Sequence, residues 1–360
     1  MVRPSFTQLA DTYKDISVRS FVARYNQFLQ NDRSPHKHDI EAPNSIRSIL
    51  PNPNYIPPKN PIVLCHGLSG FDQLILLPSV QTITKLLMSG LKTSHDDYFV
   101  QDYEESQSIV HIEYWIGIKE MLERQGCTVI TTKVPPFGSI EERATALSSF
   151  LEYQTAKLRK GKEKIKLNLI AHSMGGLDCR YLISKLPQKE NYEVISLTTI
   201  STPHHGSEMA DFIVNLFENM KLKLKINQDE TLPICFYQLT TNYMKYFNLT
   251  TQNDPRVSYF SYGSYFIPKW YNVFSLSWKI IDEATNGKEN DGMVTVESSN
   301  WGQYQGTLVN VDHLDIINWK NKMQKDINKL FERKASLSDE EINIVQFYLQ
   351  ITDELAKRGF

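Results

Sequence analysis

The stretch Leu167-Asn168-Leu169-Ile170-Ala171-His172-Ser173-Met174-Gly175-Gly176 puts a serine where an apolar run ends and a small-residue turn begins. It has the spacing of the G-x-S-x-G elbow, with Ala171 at the first glycine position. In such an elbow a strand runs into the serine and a helix leaves it. The turn is so sharp that the residues two before and two after the serine must be small. Ala171 and Gly175 meet that demand. Ser173 is then expected at the C-terminal edge of a sheet, beside the N-terminus of a helix. A serine hydroxyl is a poor nucleophile until a base takes its proton in the transition state. The chain must therefore also supply a base and a group that orients it.

Nine histidines are available. On an elbow of this kind the partners follow the serine in the order acid, then histidine. That order excludes His36, His38, His66, His95, His111 and His172. His204 and His205 come only about thirty residues after Ser173, too soon for an intervening strand and acid loop. His313, in Val311-Asp312-His313-Leu314-Asp315, follows a further β-rich run, Thr307–Val311, and is the expected base. For the acid, Asn290-Asp291-Gly292-Met293-Val294 places Asp291 in a turn before an apolar stretch. Its carboxylate would accept a hydrogen bond from the His313 ring and fix the tautomer. Asp282, Glu283 and Glu297 compete for that role. The developing oxyanion needs two donors. One is the N–H of Met174, the residue after the nucleophile. The other is the backbone N–H of Leu68, in the loop His66-Gly67-Leu68-Ser69-Gly70-Phe71 that follows the first strand.

Elements that alternate in type must carry these groups. Ile62–Cys65, Cys127–Thr132, Ile165–Ala171 and Val194–Ser201 read as buried strands. Between them Trp115–Gln125, Ile140–Lys160 and Leu177–Leu186 carry helical patterns, the first two closed by Gly126 and Gly161. This alternation predicts an α/β fold of βαβ units around a parallel sheet. Residues 1–60 read as an N-terminal extension whose end is a proline-rich linker, with seven prolines between Pro35 and Pro61. The catalytic domain is expected over 61–325. From 204 to 271 the alternation fails, and a Phe-, Tyr- and Met-rich helical insertion is expected to cover one end of the sheet. Residues 326–360 read as an appended helical tail.

Composition narrows the classes of function. The 360 residues carry 39 Lys+Arg against 41 Asp+Glu, a net charge of −2, which argues against nucleic acid as a partner. Apolar runs such as Leu74–Leu77 fall far short of the roughly 20 residues of a membrane span, leaving peripheral contact as the only membrane role expected. Cys65, Cys127, Cys179 and Cys235 are widely spaced and form no CxxC pair, which speaks for a reducing compartment and gives no sign of a zinc site. Residues 1–30 lack a secretory apolar core. Arg3, Lys14, Arg19 and Arg24 alternate there with Phe6, Leu9, Ile16, Phe21 and Val22, in the manner of a mitochondrial presequence, though Asp11 and Asp15 dilute the pattern.

The motifs, taken together, resemble the α/β-hydrolase lipases of the true-lipase group that includes the Pseudomonas and Burkholderia enzymes. The matching stretches are His66–Asp72 (HGLSGFD), Ile112–Gly117 (IEYWIG), Asn168–Gly176 (NLIAHSMGG), Thr202–Phe212 (TPHHGSEMADF), Asn290–Val294 (NDGMV) and His313-Leu314-Asp315, in order over 61–320. Cys127–Ser139 (CTVITTKVPPFGS) and Ser258–Phe274 (SYFSYGSYFIPKWYNVF) are more similar still to the fungal branch, the mitochondrial triacylglycerol lipases. The resemblance implies an α/β-hydrolase fold, its mostly parallel sheet flanked by helices and its inserted segment a lid. It implies hydrolysis of tri- and diacylglycerol esters through Ser173, Asp291 and His313, since NDG and HLD hold the acid and base of the group. A neutral lipid and the lipid–water interface would then be the partners, with mitochondria the expected compartment and the cytoplasm the alternative. A phospholipase or lipid acyltransferase would use the same machinery. A lipid-binding protein without activity is a third reading, which the intact set of three residues opposes.

Two departures from the group stand out. Bacterial members bind a structural calcium through the aspartate of HLD, matched by Asp315, and a second aspartate before the acid. No residue here fills the second place, Asp282 lying too near Asp291. Because calcium needs six or more oxygen ligands, the expectation is that no cofactor is required. Many members also anchor a disulfide just after NDG, where this chain has Glu297.

Overall fold

Apolar runs of four to eight residues without helical periodicity belong to strands buried on both faces, and parallel pairing is the arrangement that buries them so. In the computed structural model, residues 42–68, 114–187, 189–224, 231–269, 272–319 and 342–360 are described. They contain a seven-stranded sheet of β1 (Ser45–Ile46), β2 (Ile62–Cys65), β3 (Val129–Thr131), β4 (Ile165–His172), β5 (Tyr192–Ile200), β6 (Ser258–Tyr265) and β7 (Gln303–Val309). The spatial order is β1-β7-β6-β5-β4-β2-β3, and every pairing is parallel. All four side chains of β2 and the last six of β4 are buried, as their apolar sequences require.

The crossovers supply α1 (Ile118–Arg124), α2 (Ile140–Leu158) and α3 (Gly175–Lys185). Helix α2 starts on a reciprocal cap: the Ser139 hydroxyl accepts from the Glu142 N–H, and the Glu142 carboxylate accepts from the Ser139 N–H. Its stripe of Ala144, Leu147 and Leu151 packs on the sheet with Leu167, Leu169 and Cys179 nearby, while Ile140 at its start joins the cluster around Met174. All strands run the same way, so their C-terminal ends share one edge. An open α/β sheet binds ligands in the crevice at that edge.

The structure draws three boundaries differently. The segment expected as an insertion over 204–271 contains α4 (Glu208–Leu224), α5 (Ile234–Gln238) and α6 (Thr241–Thr250), but it ends before β6, an interior strand of the sheet. Ser-Tyr-Phe-Ser-Tyr-Gly-Ser-Tyr lacks the aliphatic signature of its neighbours and hides its polar groups in internal hydrogen bonds. The Ser261 hydroxyl, for example, accepts from the Trp301 N–H at 2.9 Å. Nor is the described end of the chain appended. Helix α9 (Ile344–Lys357), numbered after α7 (Ser275–Thr285) and α8 (Val296–Ser299), buries Phe347, Tyr348, Ile351 and Leu355 against Ile62, Leu64, Tyr262 and Leu308. The Phe347 ring meets Tyr262 edge-on at 5.0 Å.

Residues 42–60, expected as linker, belong to the same unit. Strand β1 pairs with β7, and the Asp353 carboxylate on α9 accepts from the Asn52 side-chain amide at 2.9 Å and the Ile56 N–H at 3.0 Å. The basic-apolar N-terminal stretch, the matched residues Ser69–Asp72 and the segment 326–341 lie outside the described residues. No helix among the described residues is long and apolar enough to cross a membrane.

This packing makes α9 part of the core. Phe347→Ala, at a position 1 % exposed, is expected to lower stability by about 3–5 kcal/mol in urea unfolding. A loss under about 1 kcal/mol would mean that the helix is peripheral after all.

Candidate active site

Strand β4 delivers His172 to the sheet edge, and the chain reverses through Ser173 at φ 56°, in the left-handed region. Three bonds hold the turn: the Ser173 N–H donates to Ile200 O at 3.0 Å, the Ser173 carbonyl accepts from the Gly176 N–H at 3.1 Å, and it accepts again from the Thr202 hydroxyl at 2.7 Å. Glycine is required at 175 by close approach. A Cβ there would lie 2.6 Å from the His66 carbonyl oxygen and 2.7 Å from that of Cys65. The end of β2 thus presses directly on the start of α3, bringing Leu68 and Met174 to the same corner. Among the described residues neither of their N–H groups has an acceptor.

The structure brings Ser173 from the end of β4, His313 from the loop after β7 and Asp291 from the turn after α7 together. His313 Nε2 lies 2.9 Å from Ser173 Oγ, and His313 Nδ1 lies 2.7 Å from Asp291 Oδ2. Asp291 is buried in the turn its sequence predicts. Its Oδ1 accepts the N–H groups of Met293 at 3.0 Å and Val294 at 2.8 Å, and its carbonyl accepts the His313 N–H at 3.0 Å. This geometry can accept a proton from Ser173 at Nε2 while Asp291 stabilises the resulting imidazolium. The competing acids lie elsewhere, Asp282 and Glu283 pairing with Lys279 and Glu297 with Lys288. His204 is buried beside Arg180 and Thr199, apart from the three.

Sequence reading passed over two groups that hold the corner. Arg143 is fully buried, with Nη2 donating to the carbonyls of His66 at 3.0 Å and Gly67 at 3.1 Å, and Nε to Asp178 at 2.9 Å. Burial outweighs this neighbour and pushes the Asp178 carboxyl up to about 6. The other is Tyr114, whose hydroxyl accepts from the Gly67 N–H at 3.0 Å and can therefore donate its proton to His172 Nδ1 at 2.8 Å. A signal for Arg143 existed. It falls three after Ile140 and four before Leu147, on the apolar face of its helix, where an unpaired charge is too costly to leave. For Tyr114, whose partners lie far away in sequence, no comparable signal exists.

Helices α4 to α6 cover this corner with apolar side chains. Phe217, Phe236, Leu239 and Met244 form one cluster with Met174, and Leu68, Phe137 and Met293 pack against it. Asp315, the residue matched to the calcium ligand of the bacterial members, accepts from the Asp312 N–H. Among the described residues there is no group of three or more His, Cys, Asp or Glu side chains that could hold a metal ion. All four cysteines are buried thiols.

Burial keeps the histidines around the corner neutral. It pulls His66 down to about 4, with Arg143 adding to the effect, and sends His172 and His204 well below the usual imidazole range. The unfolded chain takes up those protons near pH 6.5. The stability they contribute is therefore complete above that pH and lost as pH falls toward 4. Asp178 works in the opposite sense, since a carboxyl held up to about 6 when folded costs stability above that pH and returns it on acidification. Three histidines outweigh one carboxyl, so urea unfolding is expected to give about 3–5 kcal/mol less stability at pH 5 than at pH 7. Equal or greater stability at pH 5 would contradict this account.

The comparisons with known proteins agree with this architecture. The alpha/beta hydrolase fold family matches residues 60–232. Triacylglycerol lipase 2 of Saccharomyces cerevisiae is 56 % identical over 330 residues, spanning 90 % of this chain and 100 % of that protein. A triacylglycerol lipase of Burkholderia plantarii is 28 % identical over 46 % of this chain and 35 % of its own length. Two solved structures share the fold at a TM-score of 0.50: a Staphylococcus hyicus lipase, 18 % identical over 86 % of this chain and 98 % of that one, and EstA from Clostridium botulinum, 16 % identical over 93 % and 97 %. A parallel sheet with a left-handed serine turn after a central strand, and a relative more than half identical along nearly the whole length, lead to one assignment: this chain belongs to the alpha/beta hydrolase family.

Proposed function

We propose that the chain is a serine lipase that hydrolyses the carboxylic esters of tri- and diacylglycerols. The observation that carries the reading is the His313 ring bridging Ser173 Oγ and Asp291 beneath an apolar cover that includes Met174 and packs on Leu68. The relative of 56 % identity, named a triacylglycerol lipase, supports the choice of substrate.

The reaction follows from the groups in place. Ser173 Oγ attacks the ester carbonyl carbon as His313 Nε2 takes its proton, while Asp291 holds the Nδ1–H. The carbonyl oxygen, now negative, is held by the N–H groups of Leu68 and Met174. Collapse breaks the bond to the glycerol oxygen, which leaves with the proton from His313. Water then attacks the acyl-enzyme with His313 again as base, the fatty acid departs, and Ser173 recovers its hydroxyl. No step needs a metal or cofactor.

Contact with a lipid surface is part of the proposal. Leu222, Ile234, Tyr246 and Leu249 on α4 to α6 are 72 %, 49 %, 62 % and 77 % exposed, and the same helices supply the apolar cluster over Met174. A cover with apolar groups on both sides loses little by moving from water to oil. Residence in mitochondria completes the reading, resting on the basic-apolar N-terminal stretch and the fungal resemblance.

A fluorophosphonate should label the protein at Ser173, and Ser173→Ala should lose both the label and at least about a thousandfold in kcat on a soluble ester. Full activity in Ser173→Ala would end the mechanism. Fatty acid release should be faster from emulsified triolein than from phosphatidylcholine vesicles. The reverse order would favour a phospholipase, and acyl transfer to an added alcohol in preference to water would favour a transferase. Arg143→Met should lower kcat about 10–100-fold by freeing the carbonyls it anchors and letting the Leu68 donor drift. An unchanged kcat would remove Arg143 from the account.

A further inference from the structure

Six non-glycine residues among those described have φ in the left-handed region. Four are asparagines, Asn44, Asn286, Asn310 and Asn318, the type that tolerates it best. The other two are serines. Ser173 is the proposed nucleophile. Ser201, at φ 48°, follows the last residue of β5 and is buried to 1 % exposure. Glycine would occupy that backbone at lower cost, so the hydroxyl needs a reason to be there.

Its partner supplies one. Ser201 Oγ lies 2.9 Å from Ser264 Oγ, and the Ser264 hydroxyl donates to Asp291 Oδ2 at 3.3 Å, the oxygen that accepts from His313. Both serines are 1 % exposed. The proton directions follow from chemistry. An ionised carboxylate only accepts, and a hydroxyl has a single proton, so Ser264 directs its proton to Asp291 and Ser201 directs its own to Ser264. Two hydroxyl dipoles in series then point their positive ends at a buried carboxylate, each strengthening the other. Asp291 has no lysine or arginine paired with it among the described residues. Its charge rests on the His313 Nδ1–H, two backbone N–H groups and the Ser264 hydroxyl.

We propose that Ser264 is a positioning residue for Asp291, that Ser201 acts through it, and that the left-handed backbone at Ser201 is kept for this purpose. The inference rests on the reading of Asp291 as the acid of the proposed hydrolysis. Its consequence falls on the transition state. As His313 takes the proton of Ser173, attraction between Asp291 and the imidazolium draws on Oδ2, and the Ser264 donor keeps that oxygen in line with Nδ1. Substrate binding involves none of these groups, so KM should not report them.

The test compares variants on a soluble nitrophenyl ester, with active sites counted by fluorophosphonate labelling so that kcat refers to folded enzyme alone. Ser264→Ala should lower kcat about 5–20-fold with KM unchanged within about twofold. Ser201→Gly should raise the thermal midpoint by relieving the backbone while lowering kcat about threefold. The double variant should be no slower than Ser264→Ala alone, because Ser201 has no route to Asp291 except through Ser264. A Ser264→Ala kcat within about twofold of wild type, or a Ser201→Gly variant more stable and equally fast, would overturn the proposal. Asp291→Asn, run alongside, separates the two readings. Should it keep full activity, the assignment of the acid falls and the inference with it. Should it collapse while Ser264→Ala does not, only the inference falls.

Discussion

The left-handed turn at Ser173 is the constraint from which the rest of the site follows. A serine with φ 56° is costly in isolation, and it persists because both neighbouring strands are committed to it. Ile200 at the end of β5 takes its N–H, Thr202 and Gly176 take its carbonyl, and Gly175 lets the end of β2 approach to contact distance. The same packing that forces the turn brings the loop after β2 beside the start of α3. The Oγ is thus lifted clear of the sheet edge, and the two amides proposed to hold the oxyanion are set next to it. Replacing the corner by a relaxed loop would lose all three placements at once.

Fixing that corner from the other side is the work of a buried charge. Arg143 and Asp178 form an ion pair removed from water, an arrangement that commonly stabilises a fold no better than well-packed apolar groups. The reason to keep it lies in geometry. The planar guanidinium divides its donors between the carboxylate and the carbonyls of Pro135, His66 and Gly67, an arrangement no apolar side chain can match. Neutral histidines extend the logic. His172 lies 4.6 Å from the His313 ring, and as burial keeps it uncharged, it does not oppose the imidazolium that the proposed reaction forms there.

Those parts of the chain governed by local rules were legible in the sequence. Aliphatic runs made β2, β4 and β5 visible, small residues around Ser173 announced the elbow, and chain order singled out His313. Asp291 was readable as a candidate because an Asx turn is coded by adjacent residues, although nothing local separated it from Asp282, Glu283 and Glu297. What failed to show depended on distant partners. Strand β6 is rich in serines and tyrosines whose hydroxyls meet Asp254, Trp301, Glu354, Ser201 and Asp291, so its composition imitates a surface segment. Helix α9 has an apolar face like any amphipathic helix, and nothing in its own residues says that its cover is Ile62, Leu64 and the Asn52–Ile56 segment. Arg143 stands on the apolar face of its helix, which signals a paired charge, but its partner Asp178 comes from another element and could not be named from the sequence.

The site accordingly divides into two materials. The groups proposed to react sit in turns at the C-terminal edge of the sheet and are held by short polar bonds, each with one good geometry. The cover of α4 to α6 packs by apolar contact and is tied at separate points by hydrogen bonds, such as Asp211 to the first residue of α6, the Ser207 hydroxyl to the Met293 carbonyl and the Gln238 side chain to the Ile140 N–H. Apolar contact is indifferent to the identity of its partner, so a hydrocarbon phase can replace one face of the cover with another at small cost, whereas no lipid can replace the bonds of the triad. In the proposed reaction this division matters more than the size of either part. A substrate that forms its own phase can loosen the cover by contact alone, leaving the geometry of Ser173, His313 and Asp291 unchanged when the ester arrives.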